Sequence, residues 1–198
     1  METSFGRSNQ KLRTRTAIIE ACRELIRTGQ DVSMPEVARA AMVSEATAYR
    51  YFPDLLSLVG EAYVGLWASP EEALAPVAKL DDPIARVAFA TEYLLGVVLS
   101  YQGAVRAMMS ATITRPELSS SRPGIRFGLI DFALAPLNES TSKITRDNLD
   151  QLKRDLAIVM SAEALFILTD LCGLSPDEAV ASVVSTATTI TRTAMSLD

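Results

Sequence analysis

Residues 33–52 read SMPEVARAAMVSEATAYRYF, and this stretch decides how the rest of the chain is understood. Ser33 can cap a helix, and Glu36 three residues later completes the capping-box pattern. Val37, Ala38 and Ala41 give that short helix an apolar face. The pattern stops at Ala41-Met42-Val43, where Ser44 supplies a second cap. A second helix then runs from Glu45 to Phe52, with Ala48 and Phe52, four apart, on its inner side. Glu45, Ala46, Thr47, Tyr49 and Arg50 are left pointing largely outward. Two short helices on a tight turn, the second with a polar and aromatic outer face, form the geometry that enters a DNA major groove.

Working outward, the apolar period is helical almost throughout. Residues 8–28 form one helix with a stripe of Ile18, Ala21, Cys22, Leu25 and Ile26, closed by Gly29 at a helix C-cap position. A fourth helix starts near Pro53 or Asp54 and runs through Leu58, Ala62, Leu66 and Trp67. Ser69-Pro70-Glu71-Glu72 is a capping sequence with Pro at the first helical position. Further helices follow over residues 83–98 (opened by Asp82-Pro83), 104–114 and 125–137. Residues 115–124 (RPELSSSRPG) and 138–143 have loop chemistry. Two long helices close the chain, residues 145–172 and 176–196, the second behind a capping box at Ser175 and Glu178. The reading is an all-α protein of about nine helices: a three-helix bundle with the helix-turn-helix in residues 1–53, then a larger helical body in residues 54–198.

Composition narrows the chemistry. The chain of 198 residues is 48% hydrophobic with few Gly and Pro, enough to bury a sizeable core. No stretch approaches the roughly 18 uninterrupted apolar residues of a membrane span; the nearest, residues 156–168, is broken by Ser161 and Glu163. The polar N-terminus (Glu2, Arg7, Lys11, Arg13) lacks the apolar core of a signal peptide. A cytoplasmic location with no membrane partner is expected. Cys22 and Cys172 are read as ordinary buried thiols, with a disulfide or a redox-sensing role as the alternatives. The chain has no histidine, which removes Ser-His and Cys-His catalysis and the commonest transition-metal ligand. No phosphate loop or nucleophile elbow occurs. Glu92, Asp131 and Glu163 can do acid–base work, but nothing in the pattern orients them. No enzyme, cofactor or metal site is expected.

The net charge of −5 is unevenly spread. Residues 1–30 carry six basic against three acidic side chains, whereas residues 61–198 carry 11 basic and 17 acidic. The positive end is the one that holds the helix-turn-helix, as an electrostatic footprint on DNA requires.

Residues 13–60 resemble the DNA-binding domain of TetR/AcrR-type bacterial transcriptional regulators. The likeness runs through Arg15, Ile18, Ile19, Ala21, Gly29, Ser33, Val37-Ala38, Ala41, Val43-Ser44, Thr47, Tyr49, Tyr51-Phe52 and Leu58. It departs from the family pattern at Met42, Ala46 and Leu55, where the family carries Gly, Gly and Lys. The family's Lys is a phosphate contact, which Arg50 or an arm of Lys11, Arg13 and Arg15 is placed to replace. The resemblance implies a DNA-binding set of Arg15, Ser33, Ser44, Glu45, Ala46, Thr47, Tyr49, Arg50 and Tyr51. Several of these have a second reading. Ser44 caps its helix whether or not DNA is bound, and Glu45 either accepts from a cytosine amino group or sits favourably at a helix start. Tyr49 meets phosphate through its hydroxyl or packs its ring on the first helix, and Arg50 reaches phosphate or a surface partner.

The helical body completes the expectation. The apolar run in residues 156–168 and the stripe Val180, Val183, Val184, Ala187, Ile190 and Ala194 suit a four-helix interface between two copies. Such a homodimer presents two reading helices to a pseudo-palindromic double-stranded operator. Trp67, Phe89, Tyr93, Met108, Met109, Thr112, Phe127, Asp131 and Glu163 are candidates for an apolar effector cavity with a few polar groups, or for plain core. By resemblance, the function is that of a dimeric repressor released from its operator by a small molecule. The alternative is a helix-turn-helix protein without an effector, acting architecturally or through a protein partner.

Overall fold

The computed structural model describes residues 2–30, 32–63, 67–117, 122, 124–138 and 144–196, with side chains from residue 8 onward. Among the described residues there are eleven α-helices and no strand, against about nine helices expected. The chain divides into two compact units: residues 1–67 with 100–123, and residues 68–99 with 124–198.

The first unit is built on α1 (Glu2–Arg27), which starts six residues before its expected beginning at Ser8. Ile18, Cys22, Leu25 and Ile26 are buried along one stripe. The helix ends in a Schellman motif: Gln30 N–H donates to the Leu25 carbonyl at 3.1 Å and Gly29 N–H to that of Ile26 at 3.2 Å. Gly29 sits at φ +68°, a left-handed conformation that only glycine adopts freely. α1 packs against α2 (Met34–Ala40) and α4 (Leu55–Ala62), while α3 (Glu45–Tyr51) packs on α2. Asp54 caps α4 by accepting from Ser57 N–H at 2.7 Å. α4 then ends at Ala62, short of the expected Trp67, and Arg23 reaches across to donate to the orphan Ala62 carbonyl at 3.0 Å. Leu66, expected on the same helix, lies outside the described residues. α7 (Gln102–Thr114) packs on α4 and completes the unit. Residues 118–121 and 123 of the expected linker also lie outside.

The second unit opens with α5 (Pro70–Ala73), whose capping box forms in full between Ser69 and Glu72. α5 packs on α8 (Ile125–Ala133), where Gly128 is needed for close approach: a Cβ there would lie 2.7 Å from the Pro70 ring. α6 (Pro83–Ser100) is, by length and mean hydropathy, apolar enough to cross a membrane, although the charged Arg86 and Glu92 interrupt its apolar run. Here Val87, Ala90 and Leu94 instead enter a core shared with Leu129, Leu134, Leu152 and Leu156. Each of these valines and leucines, fully buried, contributes about 1.5–3 kcal/mol. Buried Arg86 binds the carbonyls of Ala78, Leu80 and Phe132, tying the turn before α6 to the end of α8. The expected helix of residues 125–137 is α8 followed by a 3₁₀ turn, Ala135–Asn138. Residues 139–143 lie outside the description.

The first closing helix is not continuous. Thr145 caps α9 (Arg146–Val159), and Met160 then leaves the helical conformation at ψ 68°. Ser161 starts α10 (Ala162–Phe166) by accepting from Ala164 N–H at 3.1 Å and donating to the Ile158 carbonyl at 2.7 Å. A π-helical turn, Ile167–Leu171, follows. α11 (Pro176–Ser196) packs on α9 and α10 behind the expected Ser175–Glu178 box. The cysteines part company here: Cys22 is buried, and burial pushes its thiol up to about 12, whereas Cys172 is exposed and not the buried thiol expected.

Candidate nucleic-acid interface

The capping residues hold the two short helices as the sequence pattern implies. Ser33 accepts from Glu36 N–H at 3.3 Å, but the Glu36 carboxylate pairs with Arg39, so only half of that capping box forms. Between α2 and α3 the chain repeats the Schellman geometry seen at Gly29. Val43 N–H donates to the Ala38 carbonyl at 2.9 Å and Met42 N–H to that of Arg39 at 3.1 Å. The left-handed position is filled by Met42, at φ +54° and 92% exposed.

Ser44 caps α3 by accepting from Thr47 N–H at 3.2 Å, and the two hydroxyls share a hydrogen bond of 2.9 Å. Ala48 and Phe52 are fully buried and anchor the inner face. Glu45, Ala46, Tyr49 and Arg50 are exposed; Thr47 and Tyr51 are half-buried, with the Arg50 guanidinium 5.6 Å from the Tyr51 ring. The outer face of α3 thus offers a carboxylate, a methyl, a phenol and a cation, side chains that can address base edges and phosphates.

The basic residues of this unit do not behave alike. Arg15 pairs with Glu61 and lies 5.1 Å over the Phe52 ring, so it braces α1 against α4. Arg23 pairs with Glu20, Arg27 with Glu24 and Arg39 with Glu36. Among the described residues no carboxylate lies within ion-pair distance of Lys11, Arg13 or Arg50. Lys11 and Arg50 face the same cleft of about 320 Å³, lined by Gln10, Lys11 and Thr14 of α1 and by Val43, Ser44, Thr47, Arg50 and Tyr51. Gln10 and Thr14 stand outside the expected site. Their four-residue spacing puts them on one helix face, but only packing brings that face to α3.

The expected effector residues divide between the units. In the first, Met108 and Thr112 are buried and Met109 is half-buried. The Thr112 hydroxyl is satisfied by the Met108 and Met109 carbonyls. Trp67 stacks on Tyr63 at 4.4 Å between ring centres, and Tyr101 meets Tyr63 edge-on at 6.4 Å. The Tyr63 hydroxyl and Trp67 Nε1 are both buried without a hydrogen-bond partner among the described residues. In the second unit Phe89 and Tyr93 pack half-buried against the core. Phe127 is exposed, and Asp131 pairs with Lys153 at 2.8 Å on the surface instead of facing a cavity. Glu163, which interrupts the apolar run, lies 3.8 Å from Arg126 of its own chain.

A capped helix pair with a buried anchor and an exposed polar second helix is a helix-turn-helix DNA-binding module. Residues 18–62 match the family described as bacterial regulatory proteins, tetR family. That match, over about a quarter of the chain, supports a DNA-binding transcriptional regulator. No curated protein and no solved structure matches it.

Proposed function

We propose that the protein is a cytoplasmic, dimeric repressor that leaves a pseudo-palindromic operator when a small molecule binds its helical body. Residues 1–53 read the DNA, and residues 54–198 hold the effector and the dimer contact. The observation that carries this reading is α3, whose inner side is anchored by Ala48 and Phe52 while Glu45, Ala46, Tyr49 and Arg50 stand exposed. On it, Glu45, Ala46 and Thr47 approach base edges, and Ser44, Tyr49, Arg50 and Tyr51 approach phosphates. Ser33 belongs to the same set through its cap position. Arg15, engaged with Glu61, serves by positioning α1 and not by touching DNA.

Two further observations support the finer points. Ile158, Ile167, Leu171 and Met195 on the closing helices are large apolar side chains left exposed in one chain, as a surface awaiting a second copy would be. The buried, unpartnered donors of Tyr63 and Trp67 are the kind of group that a ligand's acceptors satisfy. Release then requires the effector to bind the DNA-incompetent state better, with coupling of about 1–3 kcal/mol.

The test is fluorescence anisotropy of the full chain on the DNA upstream of its own gene, with scrambled duplex as competitor. The expected outcome is dimer-stoichiometric binding, roughly a thousandfold tighter than to the scramble, that a small molecule from a screen reverses. Uniformly weak, salt-dependent binding with no ligand effect would favour the architectural alternative.

A further inference from the structure

The part of α1 ahead of the family match, residues 2–17, carries one wall of the cleft beside α3. That wall brings Gln10, Lys11 and Thr14; the opposite wall brings Ser44, Thr47 and Arg50. Arg15, Arg23, Arg27 and Arg39 are each already matched by a glutamate, and of Lys11, Arg13 and Arg50, which are not, only Lys11 and Arg50 line the cleft. Ser44 and Thr47 share one hydrogen bond between their hydroxyls, so whichever accepts keeps its own proton for an outside acceptor. Thr14 donates to its own helix at the Gln10 carbonyl, which leaves the Gln10 amide as the donor from that wall. Two uncommitted cations, a hydroxyl donor and an amide donor converging on one open cleft suit a tetrahedral anion bearing several acceptor oxygens.

We propose that this cleft seats one backbone phosphate of the DNA strand beside the bases that α3 reads, with Lys11 and Arg50 closing on it from the two helices. The proposal rests on the DNA-binding reading and adds to it that the N-terminal part of α1 is half of the grip. It also replaces the three-residue arm of Lys11, Arg13 and Arg15 by a defined pair, since Arg15 is held by Glu61 and Arg13 does not line the cleft. An interaction of this kind carries no sequence information; it sets register and adds salt-dependent affinity.

The experiment measures affinity of the full chain for a mixed-sequence DNA duplex across a salt series, by anisotropy. Lys11→Ala and Arg50→Ala are each expected to flatten the slope of log affinity against log salt by about 0.9 for each phosphate no longer neutralised. Affinity should fall by the same factor on a specific site and on scrambled DNA. The pair removed together should weaken binding no further than release of one shared phosphate allows. Lys11→Arg should retain the slope. Arg27→Ala, which removes an exposed cation far along α1, should leave it unchanged. Melting temperatures of all variants should stay at the wild-type value, because Lys11 and Arg50 are exposed. A wild-type slope in the double variant overturns the proposal, as does an equal flattening in Arg27→Ala, which would mean diffuse charge in place of a seat. Absence of any duplex binding by the wild type is a different result and would sink the DNA-binding reading itself.

Discussion

At Met42 a single side chain stands in a backbone conformation that glycine would occupy without strain. Its φ of +54° completes the same pair of hydrogen bonds that Gly29 completes at the end of α1. An L-residue there costs about 1–2 kcal/mol, partly offset by the entropy, about 0.5–1 kcal/mol, that glycine would lose on folding. The methionine side chain is 92% exposed and so gains little from packing. Met42→Gly is therefore expected to stabilise the protein by about 0.5–1 kcal/mol, and Met42→Val to destabilise it, as read from urea unfolding midpoints. Equal midpoints for the three proteins would show that the turn is not strained. Arg15 teaches the complementary lesson at this scale. Its residue type pointed to DNA, but its partner Glu61 is 46 positions away, and no local pattern reports such a pairing.

For whole elements, most caps written within one turn were legible, the half-formed Ser33–Glu36 box and the Ser161 cap being exceptions, and chemistry written across the fold was not. The boxes at Ser69–Glu72 and Ser175–Glu178 could be read directly, because both partners lie in one turn. The break at Met160-Ser161 could not. Apolar residues continue through it, and periodicity cannot tell one long helix from two short ones. Only the Ser161 side chain, bonded to Ala164 N–H and the Ile158 carbonyl, marks the new start. Ser161→Ala is expected to cost about 0.5–2 kcal/mol, measured by thermal unfolding. A change of only a few tenths would mean that packing of Met160 and Leu165, and not the cap, holds the break. The partner of the last α4 carbonyl was illegible too: Arg23, 39 residues away, takes up the Ala62 oxygen. At the interface the same division holds. The face of α3 followed from a 20-residue stretch, whereas the contribution of Gln10 and Thr14 needed α1 to be seen beside α3.

Taken whole, the chain exposes apolar side chains where its closing helices meet solvent. Changing Ile167 and Leu171 together to Glu is expected to convert the proposed dimer to a monomer, raising its dissociation constant by about thirtyfold or more. Light scattering with chromatography reads the mass, and circular dichroism should show the helices retained. A variant that remains dimeric would place the dimer interface elsewhere. The internally matched arginines of the first unit have a further bearing, on life inside a crowded chromosome. Each cation already matched by a glutamate adds no net positive charge, so it is expected to contribute less to counterion release on random DNA than a free one would. A regulator built this way is expected to dwell less on irrelevant sequence than one whose arginines all stand free.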